Sequence, residues 1–331
     1  LPVGLFRPYK EFDMEHVMAP AARDSFVRVD GNPVPEGAEL VWFRGGAGRQ
    51  LRACVVPALA GVRVRGTCIV CPGRTEFIEK YFEVASDLQS RGFAVLILDW
   101  PGQGLSDRLL DDPKRGHIDD FKTFMGALVR GLATLKDVLP EPRVSLAHSM
   151  GGAIALAAIT EKLVRVEAAA FCAPLWGLKT RIFGIRYMVW AMKTLGRSGD
   201  YAQQPGPPDR FETNIVTRDR RRWQVQRDLV DAAPELELGP VTWGWLGAAL
   251  DICKTFARPS KLEQIDIPVL VASAGEEKLV NNEAHERLSR RIPNCEFIEV
   301  EGALHEILME TDDKRSQFWN AFDGLMEKAG I

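Results

Sequence analysis

Short apolar runs alternate with longer stretches of helical spacing along most of this chain. Residues 40–43 and 51–56 read as two strands joined by the turn Gly45-Gly46-Ala47-Gly48, a hairpin. From residue 66 the rhythm changes. Residues 67–71 predict a buried strand, 77–89 a helix ending near Gly92, and 93–98 a second buried strand. A long helix is expected over 118–139, a strand over 144–147, a helix over 153–163 and a strand over 166–172. The same pattern resumes late in the chain, with strands at 267–272 and 297–300 and helices at about 282–291 and 312–328. Continuous apolar strands alternating with helices imply a mostly parallel sheet covered on both faces, an α/β fold.

Two stretches break the rhythm. Residues 1–38, with prolines at 2, 8, 20, 33 and 35, are expected to be an irregular N-terminal extension over the core. Residues 175–261 contain no strong strand run but hold five of the eight tryptophans. This stretch reads as a helical insertion into a core made of 39–174 and 262–331.

Composition narrows the possibilities. At 331 residues, 46% hydrophobic and 26% charged, the chain has the profile of a soluble globular protein, and a net charge of −3 gives no reason to expect nucleic acid. No apolar run is long enough to span a bilayer. The six cysteines sit mostly in apolar runs, which suits buried free thiols and a cytoplasmic, reducing compartment. Cys68 and Cys71 lie three apart on one strand, so their sulfurs are expected on opposite faces rather than paired. Leu1 is not a methionine, which leaves a removed upstream segment open. Oligomeric state is not readable.

Candidate chemistry centres on Ser145-Leu146-Ala147-His148-Ser149-Met150-Gly151-Gly152. It predicts strand, very tight turn and helix, with Ser149 at the apex in an Ala-x-Ser-x-Gly pattern. A serine hydroxyl needs a base, and the base an orienting acid. Of five histidines, His305 follows the last strand at the sheet edge where catalytic groups collect; His148, adjacent to the serine, is expected to point away. Glu276 and Glu277 follow the preceding strand, with Glu277 the preferred acid. The backbone N–H groups of Met150 and Arg74 are the expected oxyanion donors, Gly73 letting its loop turn close to the site. No metal or organic cofactor is required.

The motifs together resemble the α/β-hydrolase superfamily, and within it bacterial lysophospholipases and monoacylglycerol-lipase-like serine hydrolases. The run Cys71-Pro72-Gly73-Arg74-Thr75-Glu76 with Tyr81 resembles the family's oxyanion loop. Asp99-Trp100-Pro101-Gly102-Gln103-Gly104-Leu105-Ser106, Arg115-Gly116-His117 and Gly302-Ala303-Leu304-His305-Glu306 also match. Ala147, Pro72 and Glu277 stand where glycine, histidine and aspartate are commoner. The resemblance implies a cap over the serine and a small lipid or other ester as substrate. Gly73, Trp176 and Trp243 are its candidate substrate contacts, against packing of the tryptophans onto the core, and the cap is a candidate for peripheral contact with the inner membrane. Arg218, Arg220, Arg221, Arg222 and Arg227 offer either phosphate recognition or ion pairs with nearby acids. The rival readings are a proline-iminopeptidase-like peptidase using Glu212, Glu235 or Glu237 to hold an amine, and a silent hydrolase fold used for binding.

Overall fold

A computed structural model describes residues 25–179, 184–204, 206, 210–258 and 261–331. The strands are β1 (Glu39–Arg44), β2 (Gln50–Val56), β3 (Gly66–Cys71), β4 (Phe93–Leu98), β5 (Arg143–His148), β6 (Ala168–Cys172), β7 (Val269–Ala274) and β8 (Cys295–Val300). They form one sheet in the order β1-β2-β4-β3-β5-β6-β7-β8. β1 and β2 are antiparallel, as a hairpin requires; from β4 to β8 every pair is parallel.

Eight helices are described: α1 (Phe82–Ser90), α2 (Lys122–Thr134), α3 (Met150–Thr160), α4 (Ile185–Thr194), α5 (Arg220–Ala232), α6 (Trp243–Phe256), α7 (Asn282–Ser289) and α8 (Asp312–Lys328). Alternation along each strand feeds two cores. In β3, Ile69 and Cys71 join the core under α2, α3 and α6, while Cys68 and Val70 join the one under α1 and α8. The two sulfurs thus lie on opposite faces, and every cysteine is a free thiol. α3 is apolar all round because it is enclosed on all sides.

The helix expected over 118–139 is shorter. Ile118, Phe121, Leu135 and Leu139 are buried, but in the loops that flank α2. Burial continued the apolar spacing after the hydrogen-bonded ladder had ended. The helix expected from residue 77 begins as a 3-10 turn, Ile78–Tyr81. Between β6 and β7 the chain leaves the sheet for α4, α5 and α6. Of the N-terminal extension, Phe26 packs edge-on against Phe82, with ring centroids 5.2 Å apart, and the Val27 amide donates to Glu79. His16 lies outside the described residues. Among those described, no helix is long and apolar enough to cross a membrane.

Candidate active site

Parallel strands put their carboxyl ends along one edge. The ends of β3, β5, β7 and β8 therefore bring residues 72–76, Ser149, Glu277 and His305 together there. Ser149 occupies a left-handed conformation, φ 49°, between β5 and α3. Such strain costs about 1–3 kcal/mol and persists only where the surroundings enforce it. Here they do: the Ser149 amide donates to Cys172, and its carbonyl accepts from Gly152, Ala153 and Leu175. A Cβ at Gly151 would overlap the Cys71 carbonyl, so only glycine lets α3 leave this turn. Ala147 is fully buried between β3 and β6 and needs no such allowance.

His305 Nε2 lies 2.9 Å from Ser149 Oγ, and His305 Nδ1 lies 2.7 Å from Glu277 Oε2. A carboxylate oxygen accepts, which assigns the ring proton to Nδ1 and leaves Nε2 to accept from the serine hydroxyl. The other Glu277 oxygen accepts from the amides of Lys278, Leu279 and Val280 at 2.8, 2.7 and 3.3 Å. Burial alone would raise the Glu277 pKa, but His305 and these amides override it and hold the carboxyl down at about 2. Glu276 is exposed and pairs with Arg218.

The loop after β3 is held from several directions. Trp100 donates to the Pro72 carbonyl at 2.8 Å and Gln103 to the Gly73 carbonyl at 3.0 Å. The Gly73 amide donates to Glu76. A Cβ on Gly73 would press on Glu76 and His148, which explains the glycine as close packing. Met150 is the first residue of α3, where an amide has no acceptor within its own helix and the dipole favours negative charge.

Beneath the site lies a polar cluster that sequence reasoning missed. Glu76 Oε2 accepts from Tyr81 at 2.6 Å and from His148 Nδ1 at 3.0 Å. His148 Nε2 donates to the His305 carbonyl at 3.2 Å. With both nitrogens donating, His148 is an imidazolium. Burial opposes that charge, and Glu76 raises the pKa against it. Lys80 bridges Glu76 and Glu306 at 3.0 and 2.6 Å. Two cations and two carboxylates thus cancel in a dry setting. His148 does point away from Ser149, but toward the backbone of His305. The signal available in the sequence was Glu76 and Tyr81 in the oxyanion-loop motif, whose purpose only the fold reveals.

The candidate substrate contacts fare differently. Trp176 is a core residue, 1% exposed, packed on Phe171 and His285, with its Nε1 donating to Gly152. Trp243 packs inside the insertion against Ile185 and Val189. Both are engaged in packing, the alternative that the sequence left open for them. The arginine cluster is also committed. Arg220 pairs with Glu212, Arg221 and Arg222 with Glu83, and Arg222 further with Asp219 and Asp312. Among the described residues no group of His, Cys, Asp and Glu is placed to hold a metal ion.

The family described as serine aminopeptidase, S33, matches residues 62–312. The chain belongs to this family of α/β-hydrolases. As a member it is a hydrolase. It is similar to lysophospholipase L2 of Escherichia coli, 32% identical over 75% of this chain and 76% of that protein. It is 24% identical to a monoacylglycerol lipase of Mycolicibacterium smegmatis, over 76% of this chain and 84% of the relative. A crystallised soluble variant of monoglyceride lipase from Saccharomyces cerevisiae, in complex with a substrate analog, shares the fold. It has a TM-score of 0.71 and 18% identity, covering 92% of this chain and 98% of that one.

Proposed function

We propose that the chain is a serine carboxylic-ester hydrolase acting on monoacyl lipids, lysophospholipid or monoacylglycerol, through an acyl-enzyme. The observation that carries this is the continuous hydrogen-bonded line Ser149–His305–Glu277 at a strained strand-to-helix turn. Ser149 Oγ attacks the ester carbonyl while His305 Nε2 takes its proton. The oxyanion is held by the N–H groups of Met150 and Arg74. His305 then protonates the leaving alcohol, and Glu277 stabilises the imidazolium in between. A water deprotonated by His305 cleaves the acyl-serine, releasing the fatty acid and returning the proton to Ser149.

The lipid part of the reading is supported by the lysophospholipase and lipase relatives. It is supported also by the outer face of α4. Tyr187 and Trp190 are 70% and 59% exposed, 5.5 Å apart between ring centroids, with Leu195 69% exposed beyond the helix end. Arg186, Lys193 and Arg197 flank them. These cations are paired with Asp251, Asp119 and Asp200, so the exposed aromatics carry the argument: such side chains suit a membrane interface, where a cap would meet its substrate. The peptidase reading has less behind it: Glu212 and Glu237 are paired with Arg220 and Lys114, which leaves the exposed Glu235 to hold a substrate amine.

The test is a hydrolysis panel of monoacylglycerols, lysophospholipids, short esters and aminoacyl amides, with Ser149→Ala as control. Turnover of the monoacyl lipids above all others, lost in Ser149→Ala, is expected. Preference for the amides refutes the proposal.

A further inference from the structure

Resting on the lipid-ester reading above, we propose that Arg74 is a specificity-determining residue. Its guanidinium receives the phosphate of a monoacyl glycerophospholipid whose ester lies at Ser149.

The buried arginines among the described residues are matched by carboxylates. Arg52 sits between Glu79 and Asp99, Arg222 between Glu83, Asp219 and Asp312, and Arg315 against Glu83 and Asp87. Arg74 is different. Its Nη2 donates to the carbonyls of Gly239 and Pro240 at 2.7 and 3.0 Å, and its guanidinium lies 5.5 Å from the Trp245 ring centre. Its Nε is enclosed and has no acceptor, and among the described residues no carboxylate pairs with the group. Burial pushes its pKa down to about 10. Two carbonyl dipoles and a ring face offset part of the cost of enclosing this charge. A half-buried cation with an enclosed, unpartnered Nε and no carboxylate beside it remains costly, and an arriving anion relieves it.

The position suits one kind of anion. Arg74 belongs to the loop whose amide is the proposed oxyanion donor, so its side chain begins where the ester carbonyl would lie. The glycerol between ester and phosphate in a lysophospholipid spans a distance comparable to an arginine side chain. A planar guanidinium fork takes phosphate oxygens two at a time. A monoacylglycerol brings no charge to it. The basic run from Arg218 to Arg222, the other phosphate candidate, is already paired with acids.

The experiment compares a lysophosphatidylglycerol with a monoacylglycerol of the same acyl chain, on the full chain and on Arg74→Gln and Arg74→Lys. Losing the bonds to Gly239 and Pro240 affects both substrates and cancels in the ratio of their kcat/KM values. That ratio is expected to fall about tenfold or more in Arg74→Gln and to recover partly in Arg74→Lys. An unchanged ratio overturns the assignment. So does inhibition by inorganic phosphate that depends on Arg74 while the ratio stays put, since Arg74 then binds free phosphate and not a headgroup. Should Arg74→Gln fail to fold, added KCl decides on the wild type. It raises KM for the lysophospholipid alone if the inference holds, and an equal response to both lipids refutes it. A wild type inert on both lipids refutes the hydrolase reading. The phosphate site then stands or falls on whether a non-hydrolysable ether lysophospholipid outbinds the matching ether glycerol in an Arg74-dependent way.

Discussion

His148 Nε2 donates to the backbone carbonyl of His305 at 3.2 Å, although the two residues are 157 positions apart. The residue directly before the proposed nucleophile therefore fixes the backbone of the proposed base. The loop is clamped on both sides of that contact. The Leu304 amide donates to Glu310 at 2.8 Å, and the Glu306 amide to Val216 of the insertion at 2.8 Å.

Replacing His148 with glutamine should therefore lower kcat more than it changes KM, by about tenfold, as expected for a misplaced general base. Stability gives a second readout. Glu76 raises the folded-state pKa of His148 above its ordinary value. The stabilisation is thus fully present below about pH 6.5 and is lost as pH rises through the raised pKa. Thermal unfolding across pH should show the wild type and His148→Gln furthest apart on the acidic side. A gap that widens with pH contradicts the assignment.

Glu277 behaves oppositely. Its folded-state pKa is depressed to about 2, so its contribution is present above about pH 4.3 and fades as pH falls toward 2. Glu277→Gln keeps the shape but reverses the hydrogen-bond demand on His305 Nδ1. A fall in kcat on the order of 10³–10⁴ is expected. Steady-state kinetics on a short ester at pH 7 measures it, and a fall of less than about tenfold removes Glu277 from the mechanism.

His285 is buried and neutral, its Nδ1 accepting from Ser273 and its Nε2 donating to Pro174, each at 2.6 Å. Burial lowers its pKa to about 4. The unfolded chain then binds the extra proton between pH 6.5 and 4, so folded stability drops as pH falls through that window. The drop amounts to roughly 3 kcal/mol at one pKa unit per 1.4 kcal/mol. Urea unfolding of the wild type and His285→Gln at pH 7 and pH 4.5 tests this. The wild type should lose more on acidification.

Gly151 has no room for a methyl group against the Cys71 carbonyl. Gly151→Ala should lose more than about 4 kcal/mol of stability or fail to fold. Circular dichroism melting measures it, and a native-like midpoint would contradict the turn geometry.

The sequence carried the parts of this site that strand ends dictate. Ser149, Glu277 and His305 each follow an apolar strand, and parallel strands bring their carboxyl ends to one edge. What it did not carry are contacts made by residues with no periodic signature. Glu76 and His148 are 72 positions apart, and nothing local announces that they meet. The packing partners of Trp176 and Trp243 were hidden for the same reason, since aromatic residues outside a strand pattern do not reveal which side they face. The helix over 118–139 was too long for a related reason, since buried loop residues such as Ile118 and Leu139 mimic helical spacing.

The most direct measurement is intact-protein and peptide mass spectrometry of the folded chain during turnover of a slow ester and after fluorophosphonate treatment. A single adduct on Ser149 is expected, absent in Ser149→Ala and formed far more slowly in His305→Ala. An adduct on another residue, or ester turnover that survives in Ser149→Ala, would contradict the mechanism.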